Sequence, residues 1–416
     1  MIALFKQHPK ILCFGLLQVF FTAPGQTFLI SLFVGAMFSS LALPISTFAG
    51  LYSLATISAS FLLNPAGRLI DRFSPKIILC SASSLMALGC FILAFAQSVV
   101  MIFIGFFLLR LIGQGVFVLI SSTLINRHFH KNRGKAHSMA SLGYPLSEMI
   151  YPVLALFLLT HFGWRISYLI FAFSTLVIML PLQFYLLHHA QLKKGHFFPG
   201  EILIQAQRLP GMTQDTNAAN TRSLKLAAVL KDPFFYPILL ASAMPPLVVS
   251  GLFFHQESLF QAQLWSLKWA TLGLSFYAVI KAFFSLGIGA YVDKKGPLGP
   301  FFVIIFLIAV ATGVASFGGP AFISIPFYYS CLGASLGMSA VVMNIIWVKL
   351  YGVQHIGSIK GFIGTFRNGF TGLAPFPIAL ALEKGFAIDT IFYGHAFLVL
   401  ILSFIPFLLA RFDSRF

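Results

Sequence analysis

Four strongly ionisable side chains stand in the middle of long apolar runs: Arg110, Glu148, Lys281 and Arg367. Each costs about 2.5–3.5 kcal/mol to place at the centre of a membrane helix, so such groups face a polar cavity or a partner. Arg110 and Glu148 fall on consecutive apolar runs at comparable depth and can neutralise each other. Lys281 and Arg367 then have no intramembrane acid left, and two readings stay open for them. One is structural, with backbone carbonyls and water as partners. The other is a bound anion, for which Arg offers a planar fork and Lys a point charge. Three bases against one acid leave a positive surplus that suits a substrate with one or more carboxylates. Glu148, the sole intramembrane carboxylate, is the candidate for proton coupling.

Polar neighbours recur at helical spacing. Tyr277, Lys281 and Ser285 follow i, i+4, i+8, one face of a helix, and Arg367 and Thr371 do the same with Asn368 adjacent. Gln18, Thr22 and Gln26 make a third stripe, interrupted by Pro24-Gly25. For this stripe substrate binding and interhelical hydrogen bonding are equal alternatives.

The elements that must position these residues follow from composition. The chain has 416 residues, 58% hydrophobic and 9% charged, with a net charge of +17. Soluble domains carry roughly a quarter charged residues, so this chain cannot cover a water-facing surface of its own size. That excludes a soluble enzyme, a disordered tail and a disulfide-stapled secreted domain. A span needs about 20 mostly apolar residues. The chain supplies twelve, at 11–36, 46–70, 77–96, 99–123, 136–160, 164–187, 234–255, 268–292, 300–318, 324–348, 357–382 and 390–410. The first is too long for a signal peptide and reads as a retained helix. The polar stretch 188–233 divides the spans into an N-terminal half, 1–187, and a C-terminal half, 234–416. Its Gln, Asn and Thr content suits a cytoplasmic linker.

Of the 27 Lys and Arg residues, 21 fall before span 1, after span 12, in the loops 2–3, 4–5, 6–7, 8–9 and 10–11 or, for Arg68 and Lys360, at the adjoining span ends. Only Arg165, Lys268 and Lys384 lie on the opposite side. Because basic loops stay inside, both termini are expected to be cytoplasmic, in a bacterial inner membrane. The positive charge thus has a topological explanation and requires no nucleic acid. The two halves also repeat. Gly67-Arg-Leu-Ile-Asp71-Arg72 closes span 2, and Gly289-Ala-Tyr-Val-Asp293-Lys294 closes span 8. In each, a small residue is expected to let helices approach closely, and an acid beside a base sits at the cytoplasmic mouth. Internal repeats of this kind build many secondary transporters.

With these residues the chain resembles the major facilitator superfamily. Gly67, Leu69, Asp71, Arg72 and Lys76 match its loop 2–3 signature, with Ser74 in place of the second glycine. The later copy keeps Gly289, Asp293, Lys294 and Gly296 and lacks the final base. Arg110-Leu-Ile-Gly113-Gln-Gly115 resembles the Arg/Gly element of span 4, with its first glycine one residue early, and Gly163-Trp164-Arg165 is typical at the start of span 6. The resemblance implies an all-α polytopic membrane protein of 12 transmembrane helices in two six-helix pseudo-symmetric halves, with spans 3, 6, 9 and 12 outside the bundle. It implies a cytoplasmic gate at Gly67, Asp71, Arg72, Gly289, Asp293 and Lys294. A cationic pair on spans 8 and 11 resembles the oxalate/formate and monocarboxylate branch, whose acidic-glycine signature in span 1 is absent. The glycine-proline-glycine pattern of drug/proton antiporters is also missing from span 5, where Gly143-Tyr-Pro145-Leu-Ser-Glu148 stands instead.

The expected function is secondary active transport of a small organic anion by alternating access, as proton-coupled uptake. Arg110, Lys281, Arg367, Tyr277, Asn368, Gln18 and Gln26 would bind the substrate. A polycarboxylate siderophore–iron complex is an alternative cargo, and a multidrug or metabolite exporter an alternative class. A membrane enzyme ranks last, because the outer loops are short and nearly bare. No cofactor and no metal site are expected, and the partners are the anion, a proton and the bilayer around a monomer. His128, His130 and His137 read as a solvated basic loop facing anionic headgroups. His255 and His395 are expected at the outer interface, and Cys13, Cys80, Cys90 and Cys331 as buried small hydrophobes. Pro145, Pro152, Pro245, Pro246, Pro375 and Pro377 are expected to interrupt spans 5, 7 and 11.

Overall fold

The computed structural model describes residues 2–129, 133–189, 224–352, 356–405 and 408, and these are helical apart from short turns. Among the described residues, nine segments are long and apolar enough to cross a membrane. One of them, Lys135–His189, runs for 55 residues and contains both span 5 and span 6. Span 11 (Ile356–Thr371 and Pro375–Glu383) and span 12 (Ile388–Leu402) complete the twelve. Many large apolar side chains point outward, among them Phe61, Phe283, Phe317 and Phe322. Such surfaces are stable against lipid tails and not against water.

Contacts divide the chain into two compact units. The first comprises Met1–Met37 and Ser58–Thr216, the second Phe38–Ile57 and Asn217–Phe416. Much of the linker, 190–223, lies outside the described residues, and so do His130 and Lys131.

In the first unit, span 1 is made of Pro9–Phe20, a short 3-10 turn at Ala23–Gly25 and Thr27–Leu41. Pro24 has no N–H to donate, so the helix cannot run straight through. Span 4 joins Val99–Leu109 to Phe117–His128 through a π-helical stretch, Arg110–Val116. The Gly-Trp-Arg motif has a specific use here. Gly163 takes φ 76° and ψ 171°, a region open in practice to glycine alone, and this bend separates spans 5 and 6. Arg165 then donates to the carbonyls of Ala94 (2.9 Å) and Ala96 (3.1 Å) just past span 3 (Pro75–Ala94), while its guanidinium stacks on Trp164 at 4.3 Å. A cation at a helix C-terminus satisfies carbonyls that lack helical partners.

In the second unit, span 8 (Leu267–Lys295) and span 10 (Ala321–Tyr351) pack along their length. The cause is a Gly-x-x-x-Gly spacing. A Cβ on Gly333 would meet the Tyr277 carbonyl oxygen at 2.7 Å, and one on Gly337 would press into the backbone of Lys281. Two glycines one turn apart let the backbones touch. Segment 38–57 packs within this unit, with Tyr52 against Phe254 (ring centroids 4.8 Å) and the Ser46 N–H donating to Glu383 Oε1 at 2.9 Å.

Several expectations change. Span 5 runs through Pro152 and span 7 (Phe235–Phe254) through Pro245 and Pro246, so of spans 5, 7 and 11 only span 11 is opened by its proline. An isolated missing N–H inside a long, packed helix is tolerated; a break needs neighbours that take up the freed groups. Cys80 is exposed rather than buried. His255 is buried, not interfacial. A Cβ at Gly67 or Gly289 would meet no described atom within 4 Å, so close helix approach does not explain either glycine.

These contrasts are testable by thermal unfolding in detergent. Gly163→Ala is expected to destabilise by about 1–3 kcal/mol because alanine is strained at that φ and ψ, whereas Gly67→Ala leaves the transition in place.

Candidate functional site

The two units each hold part of the predicted set. In the first, Arg110 is almost fully buried at 1% exposure and bonds to span 1. Nη1 donates to the Gly25 carbonyl at 2.9 Å and lies 3.3 Å from Thr27 Oγ1. The N–H groups of Leu29 and Ile30 both turn to Gln26 O, which leaves Gly25 O outside the helical ladder. Arg110 therefore satisfies the carbonyl released where Pro24 breaks span 1. The two chains meet glycine to glycine. A Cβ on Gly113 would stand 2.7 Å from Gly25 Cα and 2.9 Å from Thr22 O. The one-residue shift of this glycine in the span 4 motif coincides with the π-helical stretch that carries it.

The polar stripe of span 1 meets different surroundings along its length. Thr22 Oγ1 donates to Val19 O at 2.6 Å, and Gln26 Nε2 reaches Gly113 O at 3.5 Å, so both are engaged within the protein. Gln18 is different: it is fully buried, and neither end of its amide has a hydrogen-bond partner among the described residues. A buried amide left so costs about 1–3 kcal/mol, which a polar ligand or water would recover. Glu148 is buried on span 5, one residue after Ser147.

In the second unit, Lys281 is partly exposed, with its ammonium 5.3 Å from the centroid of the buried Tyr277 ring. Tyr277 packs edge-on against Phe253 of span 7 at 5.7 Å. One turn back on span 7, Ser250 Oγ donates to Thr371 O at 2.6 Å. In a continuous helix that carbonyl would receive the N–H of residue 375, which is proline and has none. Span 11 opens at this point, and Ser250 takes the freed acceptor. His255 Nε2–H donates to Pro375 O at 2.9 Å and fastens the far side of the break. Arg367 sits one turn before Thr371, partly exposed, and its Nε has no hydrogen-bond partner among the described residues. Asn368 follows it, with its backbone carbonyl accepting from Thr371 Oγ1 at 2.7 Å.

Spans 8 and 11 thus bring Lys281 and Arg367 to helices fastened to one turn of span 7, through Phe253 and Ser250. Sequence reasoning missed Ser250, Phe253 and the Gly333/Gly337 pair. The glycine spacing was a readable signal; the serine opposite a proline break was not. Of the gate residues, Arg72 and Lys294 are exposed helix-end bases, while the side chains of Asp71 and Asp293 lie outside the description. His128 Nε2 lies 3.2 Å from His8 Nδ1, and His137 pairs with Asn126 Oδ1 at 2.8 Å.

The division of labour predicts unequal phenotypes. Arg110→Gln should lower unfolding stability by about 1.5–3 kcal/mol through loss of charge-assisted bonds. Lys281→Gln, a change at a partly exposed side chain, should cost less than Arg110→Gln. Melting of the purified variants in one detergent decides this.

Comparison with known proteins agrees with this architecture. A nucleoside transporter, NupG, superposes with a TM-score of 0.69 at 16% identity, covering 98% of this chain and 99% of that one. A POT family transporter in complex with a thioalcohol-conjugated peptide gives 0.73 at 13%, with 96% of each chain covered. At such identities the likeness is one of fold. Sequence relatives match over shorter stretches. Monocarboxylate transporter 6 of Mus musculus is 27% identical over 103 residues, 25% of this chain and 22% of its own length. The Agnestins efflux protein AgnL12 of Paecilomyces divaricatus is 29% identical over 119 residues, 28% of this chain and 26% of its own. The chain therefore spans about a quarter of the length of these relatives. The profile described as Major Facilitator Superfamily matches residues 15–375, and the chain belongs to that superfamily of membrane transporters.

Proposed function

We propose that this transporter carries a small organic carboxylate by alternating access, as proton-coupled uptake across a bacterial inner membrane with both termini cytoplasmic. The observation that carries the reading is the pair Lys281 and Arg367. Both are strong bases within spans, both are partly exposed, and both sit on helices held by span 7. Arg110 is a positioning residue in this scheme, because its bonds hold the break in span 1. Tyr277 orients the Lys281 ammonium by a cation–π contact, and Asn368 and Gln18 supply neutral hydrogen-bonding groups. The partial likeness to a monocarboxylate transporter supports this cargo class; the likeness to an efflux protein favours export as the second reading. A larger polycarboxylate, including a ferric siderophore, would meet the same two bases.

Inward movement of an anion opposes a negative-inside potential by about 2.3 kcal/mol per charge per 100 mV, so accumulation needs a co-transported cation or an exchanged anion. Glu148, a buried carboxylate, fills the role of proton carrier. Arg72 and Lys294 follow Asp71 and Asp293 in sequence and belong with them to the proposed cytoplasmic gate.

Proteoliposome uptake over mono-, di- and tricarboxylates and ferric polycarboxylates tests the reading. One carboxylate class should accumulate under an inward proton gradient. Lys281→Gln and Arg367→Gln should each cut uptake at least tenfold, the equivalent of about 1.4 kcal/mol. Glu148→Gln should abolish gradient-driven accumulation while leaving counterflow of the same anion. Normal transport by both basic-residue variants would refute the anion site; export under the same gradient would reverse the direction.

A further inference from the structure

The second unit contains a cavity that the transport reading does not use. It has a volume of about 540 Å³ and lies where spans 8 and 10 end and span 11 begins. Lys349 and Lys360 line it from spans 10 and 11. Asn344 adds an amide one turn before Lys349, with one N–H already given to Ala340 O at 2.6 Å. Val292, Ile345 and Val348 make an aliphatic wall. No acidic residue is among the described residues that line it. The turn that closes one side is fixed: Gly296 takes φ 81° and ψ 170°, and Pro297 follows with its own φ locked. Lys360 is half-buried and Lys349 exposed.

With no acid among the described residues of its lining, two lysines at one cavity leave positive charge that an anion would neutralise. The cavity's depth narrows the class of anion. It sits where membrane helices turn back, the level at which lipid phosphates lie, and most of its wall is aliphatic. A free inorganic anion would leave that wall without a partner. A glycerophospholipid satisfies both parts, its phosphate at the lysines and Asn344 and its glycerol and first methylenes along Val292, Ile345 and Val348. Basic pockets between membrane helices take acidic headgroups in this way. We propose that this cavity is a binding site for an acidic phospholipid, with Lys349 and Lys360 holding the phosphate. The site is separate from Lys281 and Arg367, and its existence does not depend on which substrate the transporter carries.

The test is native mass spectrometry of the full-length protein in a mild detergent with added phosphatidylglycerol or phosphatidylcholine. The wild type should retain phosphatidylglycerol in preference. The double variant Lys349→Gln/Lys360→Gln should lose about 10–30-fold of that preference, at roughly fivefold per lysine. Lys349→Arg/Lys360→Arg keeps both charges and should retain it, which separates charge from misfolding. A parallel melting series compares phosphatidylglycerol with glycerol phosphate and inorganic phosphate. Equal retention of the two lipids, or an unchanged preference in the glutamine variant, overturns the proposal. Stabilisation by the soluble phosphates equal to that by the lipid also overturns it and assigns the cavity to a soluble anion.

Discussion

A helix inside a bilayer can break only where its freed backbone groups find protein partners, and this constraint organises both halves of the chain. Span 1 breaks at Pro24, and the carbonyl of Gly25 is taken by Arg110. Span 11 breaks before Pro375, and the carbonyl of Thr371 is taken by Ser250. In hydrocarbon an unsatisfied carbonyl costs several kcal/mol, so each of these side chains is a condition for its break. The two solutions differ in chemistry. A charged guanidinium does the work in one unit and a neutral hydroxyl in the other.

The two breaks leave the neighbouring bases in different surroundings. Arg110 is almost fully buried against a carbonyl and a threonine hydroxyl. At the other break a serine takes the freed carbonyl, and Arg367 is partly exposed one turn away. Lys281 is placed by a separate device. The glycine pair of span 10 brings backbone against backbone at Tyr277 and Lys281, so the register of span 8 is set at the residues that bear the charge. Enlarging either glycine would shift Lys281 bodily. The placement of Lys281 thus rests on close helix packing.

Much of this was legible in the sequence, and the reason is that the bilayer reads composition directly. Apolar runs of spanning length, the sidedness of Lys and Arg, and the repeated helix-end motif define the span order and the fold. The intramembrane charges are equally conspicuous, since each is an exception to a steep cost. Roles were harder to read. Arg110, Lys281 and Arg367 look alike as isolated bases, and only the partners of their neighbours distinguish them. Prolines misled for a related reason: Pro245 and Pro246 look more disruptive than Pro375, yet span 7 continues and span 11 opens. Gly67 and Gly163 were both motif residues, but only Gly163 has a backbone conformation that demands glycine. Ser250 carried no signal at all, because its meaning depends on a proline 125 positions later in the chain.

We propose that Lys281 and Arg367 act together on one anion. Equilibrium binding of the proposed carboxylate substrate to purified protein in detergent, with no gradient present, tests this most directly. Lys281→Gln and Arg367→Gln should each weaken Kd at least tenfold, and the double variant should lose less than the product of the two, as expected for groups sharing a ligand. Unchanged affinity in both single variants would contradict the account.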